Sequence, residues 1–117
     1  MAPLVSTQVL QNAATANGNG VSAITNGYDQ TIQMEVVEAN TGTVTLNIEG
    51  SFDGTNWYAV GYQQVDNTAA PTRAVAAIAV AQNTKHVYQV LDPYPLYRAR
   101  LSSISSATVT VRVYCIA

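Results

Sequence analysis

Charged side chains are scarce in this sequence. Lys, Arg, Asp and Glu make up 10% of its 117 residues, where proteins ordinarily carry about 25%. Only five residues are basic, so there is no cationic footprint for a phosphate backbone and no nucleic-acid partner is expected. A single cysteine, Cys115, excludes an intrachain disulfide. A single histidine, His86, without clustered cysteines excludes a zinc site. The longest weakly polar run, Ala74 to Ala81, is far too short to span a bilayer, so no membrane association is expected. The opening Met1-Ala2-Pro3-Leu4-Val5-Ser6 has neither the basic start nor the apolar core of a signal peptide, which points to synthesis in a cytoplasm without an export signal. No Gly-x-Ser-x-Gly elbow and no phosphate-binding glycine loop occurs. No acid is obviously placed to orient His86 as a base, so the chain is expected not to be an enzyme and to need no cofactor.

The few charges are unevenly placed. Residues 1–60 hold Asp29, Glu35, Glu38, Glu49 and Asp53 and no Lys or Arg, whereas residues 61–117 hold Arg73, Lys85, Arg98, Arg100 and Arg112 against Asp66 and Asp92. Acid strands lying beside basic strands within one fold account for this most simply. Pairing of opposite faces between neighbouring molecules is the alternative.

What is abundant is alternation. Ile32, Met34 and Val36, then Val44, Leu46 and Ile48, then Tyr97, Ala99 and Leu101, then Val109, Val111, Val113 and Cys115 recur at period two with polar residues between them. That is the pattern of half-buried antiparallel strands. Turn-forming runs separate them at Ala39–Gly42, Asp53–Asn56, Asp92–Pro95 and Ser102–Ser106. Trp57 to Tyr62 reads as one further strand, Val87 to Leu91 as another, and residues 66–73 as a loop. The alanine-rich stretch 74–81 lacks a helical face and is expected to be an edge strand or extended. The expected architecture is an all-β antiparallel β-sandwich or jelly roll over residues 28–117. Residues 1–27, rich in Asn, Gly, Ala, Thr and Ser, are expected to form an N-terminal arm with one or two edge strands, or a hairpin around Asn17-Gly18-Asn19-Gly20.

The most specific local feature is Ser51-Phe52-Asp53-Gly54-Thr55-Asn56-Trp57. Gly54 supplies a positive φ, Asp53 bonds back to the backbone, and Trp57 closes the hairpin as a buried wedge. Asp53 with Asn56 offers one carboxylate, too few oxygens for a calcium site, so no metal is expected. Tyrosine dominates the aromatic residues, with seven Tyr against one Trp and one Phe. It is favoured at interfaces for its apolar area and polar tip. Tyr94 in the stiff Asp92-Pro93-Tyr94-Pro95 loop, Tyr58 and Tyr62, with the arm's apolar residues Leu4, Val5, Val9 and Leu10, form the candidate interface. Tyr97 is expected in the core, and Cys115 as a buried, inert thiol.

The alternating strand Val44 to Glu49, the Ser51–Trp57 hairpin, the Tyr97-Arg98-Ala99-Arg100-Leu101 strand and the closing Thr108-Val109-Thr110-Val111 strand together resemble small β-sandwich proteins of tailed-bacteriophage virions. Similar hairpins occur in discoidin-like modules and in the Asp-box turns of sialidase-type propellers. The resemblance spans roughly residues 30–116 and is one of pattern. It implies a capsid decoration (cement) protein on the capsid surface, bound to the major capsid protein as a homo-oligomer, typically a trimer. The alternative is a carbohydrate-binding module of a head or tail fibre, with Trp57, Tyr58 or Tyr62 as stacking platforms.

Overall fold

The computed structural model describes residues 5–24, 31–66 and 72–116. Its strands in chain order are β1 (Val5–Ala14), β2 (Ala23–Ile24), β3 (Thr31–Glu38), β4 (Thr43–Ser51), β5 (Tyr58–Ala59), β6 (Tyr62–Gln64), β7 (Ile78–Val80), β8 (Lys85–Val90), β9 (Leu96–Ser105) and β10 (Val109–Ile116). They form two antiparallel sheets. One has the order β1-β10-β3-β8-β6; the other runs β2-β9-β4-β5, with β7 also paired to β4. No helix occurs among the described residues, and none is therefore long and apolar enough to cross a membrane. The all-β sandwich expected from the alternation is what forms.

The inward parity of each strand supplies the core. Met34, Val36, Val44, Leu46, Ile48, Tyr97, Ala99, Leu101, Val109, Val111, Val113 and Cys115 are all buried. At about 1.5–3 kcal/mol for each large apolar side chain removed from water, this shared face is the main source of stability. Glu38 occupies the same parity as Met34 and Val36 and is buried as deeply, at 1% exposure. Its carboxylate is satisfied by three turns at once. Oε1 accepts the Asn40 and Thr108 N–H groups at 2.8 and 3.1 Å, and Oε2 accepts that of Asn83 at 2.8 Å. Glu38 thus ties together the turns that follow β3, β7 and β9.

Four local readings are corrected. Trp57 to Tyr62 is not one strand: β5 belongs to one sheet and β6 to the other, and buried Val60 with Gly61 carries the chain across between them. Trp57 itself lies just before β5 and is half-buried, not a buried wedge. The described part of the N-terminal segment supplies two edge strands, as expected, but they are integral to the two sheets and do not form a separate arm. β1 pairs along β10 from Val5↔Ile116 to Ala14↔Val109, and β2 pairs with β9. Asn17-Gly18-Asn19-Gly20 makes no hairpin; Gly18 exchanges both backbone bonds with Leu101 of the opposite sheet, so the run is a crossover. Burial of Leu10 and Ala23 drives this docking. Leu4, in residues 1–4, and the central part of the 66–73 loop lie outside the described residues.

The alanine-rich stretch resolves into an edge. Ile78 and Val80 point into the core while Ala79 points out, and β7 pairs with Val44 to Leu46.

Candidate functional site

The end of the sandwich where β4 stops, β5 starts and the β8–β9 connection returns carries a cluster of aromatic rings. Its frame begins with the Ser51–Asn56 loop. Ser51 Oγ accepts the N–H groups of Gly54 and Asp53 at 2.9 and 3.3 Å and donates to Asp53 Oδ1. That oxygen also accepts the Thr55 and Asn56 N–H groups, each at 2.9 Å, and Oδ2 accepts from the Asn56 side chain at 2.9 Å. The Asn56 and Thr55 N–H groups favour the ionised form and hold the Asp53 carboxyl well below its usual range. Gly54, at φ 78°, takes the left-handed turn position that a side chain would strain. The loop's own donors occupy both Asp53 oxygens, consistent with a turn role for this residue.

The loop holds Phe52 out into solvent at 70% exposure, with its ring centroid 4.9 Å from that of Tyr94. Tyr58, 52% exposed, also stacks near-parallel with Tyr94, at 6.4 Å. Tyr94 lies on the backbone of Gly50, where any Cβ would overlap its ring. Beneath it, Tyr97 is fully buried and meets Tyr94 edge-on at 6.2 Å.

The connection bearing Tyr94 is pinned at several points. The Tyr97 hydroxyl accepts the Tyr94 N–H at 2.8 Å and donates to the Asp92 carbonyl at 2.6 Å. Asp92 Oδ2 accepts from the Gly61 N–H at 2.7 Å and from the Arg73 guanidinium at 2.8 Å. Burial pushes the Tyr97 hydroxyl up to about 12, so it stays protonated in this role. The exposed rings therefore sit on a braced platform, which lowers the entropy lost when a partner covers them.

On the outer face of the β4 sheet, the Arg98 guanidinium lies 4.3 Å over the Trp57 ring and its Nε donates to Glu49 Oε1 at 2.8 Å. Arg100 reaches the same oxygen at 3.2 Å. In the other sheet, Glu35 pairs with Lys85 and Arg112, at 3.3 and 3.6 Å. With Arg73 on Asp92, every Lys and Arg of the chain meets an acid of the same chain. The uneven charge distribution is thus the cross-strand pairing expected: Glu49 stands directly opposite Arg98, and Glu35 opposite Arg112.

The candidate interface residues divide sharply. Tyr58 and Tyr94 come together here, joined by Phe52, which the sequence reading had not singled out. Its position next to a tight Asp-Gly turn was the available signal. Leu10 and Tyr62 are corrected: both are buried in the core, at 1% and 8% exposure, and present no surface. Val9 is exposed at 41%, but it lies on β1, away from the rings; Val5 heads the same strand. Burial of Tyr62 and the guanidinium over Trp57 also weaken two of the three sugar-stacking platforms. His86 has an unforeseen partner, Asp66 Oδ2, at 2.9 Å from Nδ1. His86 borders a cavity of about 330 Å³ that Tyr62, Ile78 and Tyr88 also line. No group of three or more potential metal ligands occurs among the described residues.

No protein-family model matches the chain, and no curated protein matches it. Among solved structures, the fold is similar to that of the SPBc2 prophage-derived protein YomS, with a TM-score of 0.78 over 100% of this chain and 96% of that one. The two sequences are 10% identical, so the likeness is one of fold over essentially the whole of both chains.

Proposed function

We propose that the protein is a structural component of a bacteriophage particle, a decoration protein that docks on the assembled capsid through its aromatic end. The observation that carries this reading is the braced Phe52–Tyr94–Tyr58 platform, two of whose rings are more than half exposed. Aromatic side chains on a rigid support are what interface hot spots are made of. The ion pairs support the same reading from another side. The basic side chains are engaged within the chain, so docking relies on apolar and hydrogen-bonding contact more than on charge. The full-length likeness of fold to a prophage-derived protein adds to the phage reading.

The mechanism is thermodynamic. A protein that binds the assembled shell and not its dissociated subunits stabilises the shell by mass action. The major capsid protein is the partner, and the copies sit on the outer surface. Purified protein is added to capsids that lack it, and the bound fraction and the shell's thermal midpoint are measured. Saturable binding with a raised midpoint supports the proposal; absence of binding at micromolar concentration overturns it.

A further inference from the structure

The outer edge of β1 behaves unlike the other edges of the sandwich. β2 and β5 have two residues each, and β6 and β7 three each. Short edges of this kind resist pairing with foreign strands. β1 has ten residues and closes its sheet. The edge splits into two parts. From Leu10 onward it is irregular: register shifts interrupt the pairing with β10, and the Leu10 carbonyl is taken by the Val21 N–H at 2.9 Å. From Val5 to Val9 the ladder to β10 is unbroken, and no described residue bonds to the backbone on the outer side. This stretch, Val5-Ser6-Thr7-Gln8-Val9, contains no Lys, Asp, Glu or Pro, the usual edge guards.

We infer that the Val5–Val9 edge of β1 pairs antiparallel with the same edge of a second copy, joining two five-stranded sheets into one across a two-fold axis at Thr7. The order of residues points to a second copy as the occupant. About Thr7 the stretch is a palindrome of character, so Val5 falls opposite Val9 of the second copy, Ser6 opposite Gln8, and Thr7 opposite itself. Thr–Thr pairs across antiparallel strands are favourable, and no like charges meet. An isologous contact of this kind closes at two copies, which departs from the trimer that the phage resemblance implied. It is independent of the capsid-docking proposal, since it uses a different edge and requires no capsid.

Sedimentation of the full chain over a range of concentrations should show a species of twice the chain's mass. Thr7→Lys places two ammonium groups face to face on the axis. It should weaken association at least about tenfold while leaving the circular-dichroism spectrum, and the melting at concentrations too low for dimerisation, unchanged, since Thr7 is exposed. Thr7→Cys should form an intermolecular disulfide on mild oxidation, whereas the wild-type chain, whose Cys115 is buried, should not. A monomer or trimer at high concentration, or a dimer that survives Thr7→Lys and gives no Thr7→Cys cross-link, overturns the inference.

Discussion

The Arg98 guanidinium stands 4.3 Å over the Trp57 ring while its Nε holds Glu49 at 2.8 Å, so one side chain joins the hairpin to the centre of its sheet. Both Arg98 and Glu49 are largely buried by the contact, at 16% and 14% side-chain exposure. Arg98→Ala removes the ring cover and leaves Glu49 to Arg100 alone. The expected cost is about 1–2 kcal/mol. Because Trp57 is the sole tryptophan, its emission should shift to the red as water reaches the ring. Fluorescence and urea denaturation of the same samples read both effects.

Glu38 gives the molecule an acid-sensitive tie. Burial alone would raise its carboxyl, but the three backbone N–H groups of Asn83, Thr108 and Asn40 win and hold it below the ordinary glutamate range. A depressed folded-state value means that the contribution is complete above the unfolded-state range and is lost as pH falls through the folded value. Glu38→Gln turns one oxygen into a donor facing a donor, and should cost about 2–4 kcal/mol near neutral pH. The variant should also lose part of the wild type's acid-induced destabilisation in a pH series of denaturation curves.

The alkaline limb has the opposite sign. Burial raises the Tyr97 and Tyr88 hydroxyls to about 12. A raised folded-state value leaves stability intact below the free tyrosine range near pH 10 and removes it as pH climbs towards the folded value. Tyr97→Phe deletes the bonds to Tyr94 and Asp92. It should cost about 1–3 kcal/mol at neutral pH and flatten part of the alkaline decline.

Much of this was legible in the sequence, and what was missed has identifiable causes. Period-two alternation is local, so the core faces of β3, β4, β9 and β10 could be read directly. The split of Trp57–Tyr62 between two sheets could not, because a strand that changes sheets keeps its apolar residues: Val60 and Tyr62 are buried on either side of the crossing. The Asn/Gly-rich opening suggested edge strands but not the ten-residue length of β1, because Val5-Ser6-Thr7-Gln8-Val9-Leu10 has no clean alternation and its pairing depends on β10, about a hundred residues away. Asp66 and His86 lie 20 residues apart and meet only through the pairing of β6 with β8. Of the aromatic site, Tyr58, Tyr94 and the Asp-Gly turn were evident. Phe52 was not, since a lone phenylalanine beside a turn reads equally well as core.

The hairpin geometry makes its own demand. Gly54→Val forces a branched side chain into φ 78° and should cost about 1–3 kcal/mol. The same change should loosen the loop that holds Phe52, so hydrogen exchange at Thr55 and Asn56 should accelerate more than in the β10 core.

The proposed capsid binding depends above all on the aromatic end as the docking surface. The direct measurement is co-sedimentation of the Phe52→Ser, Tyr58→Ser double variant with capsids lacking the protein, alongside the wild type and with thermal melts of both. Both rings are solvent-exposed in the free chain, so folding stability should change by less than about 1 kcal/mol. Loss of two aromatic anchors should weaken capsid binding by at least about thirtyfold. Binding equal to wild type by a fully folded double variant would contradict the account.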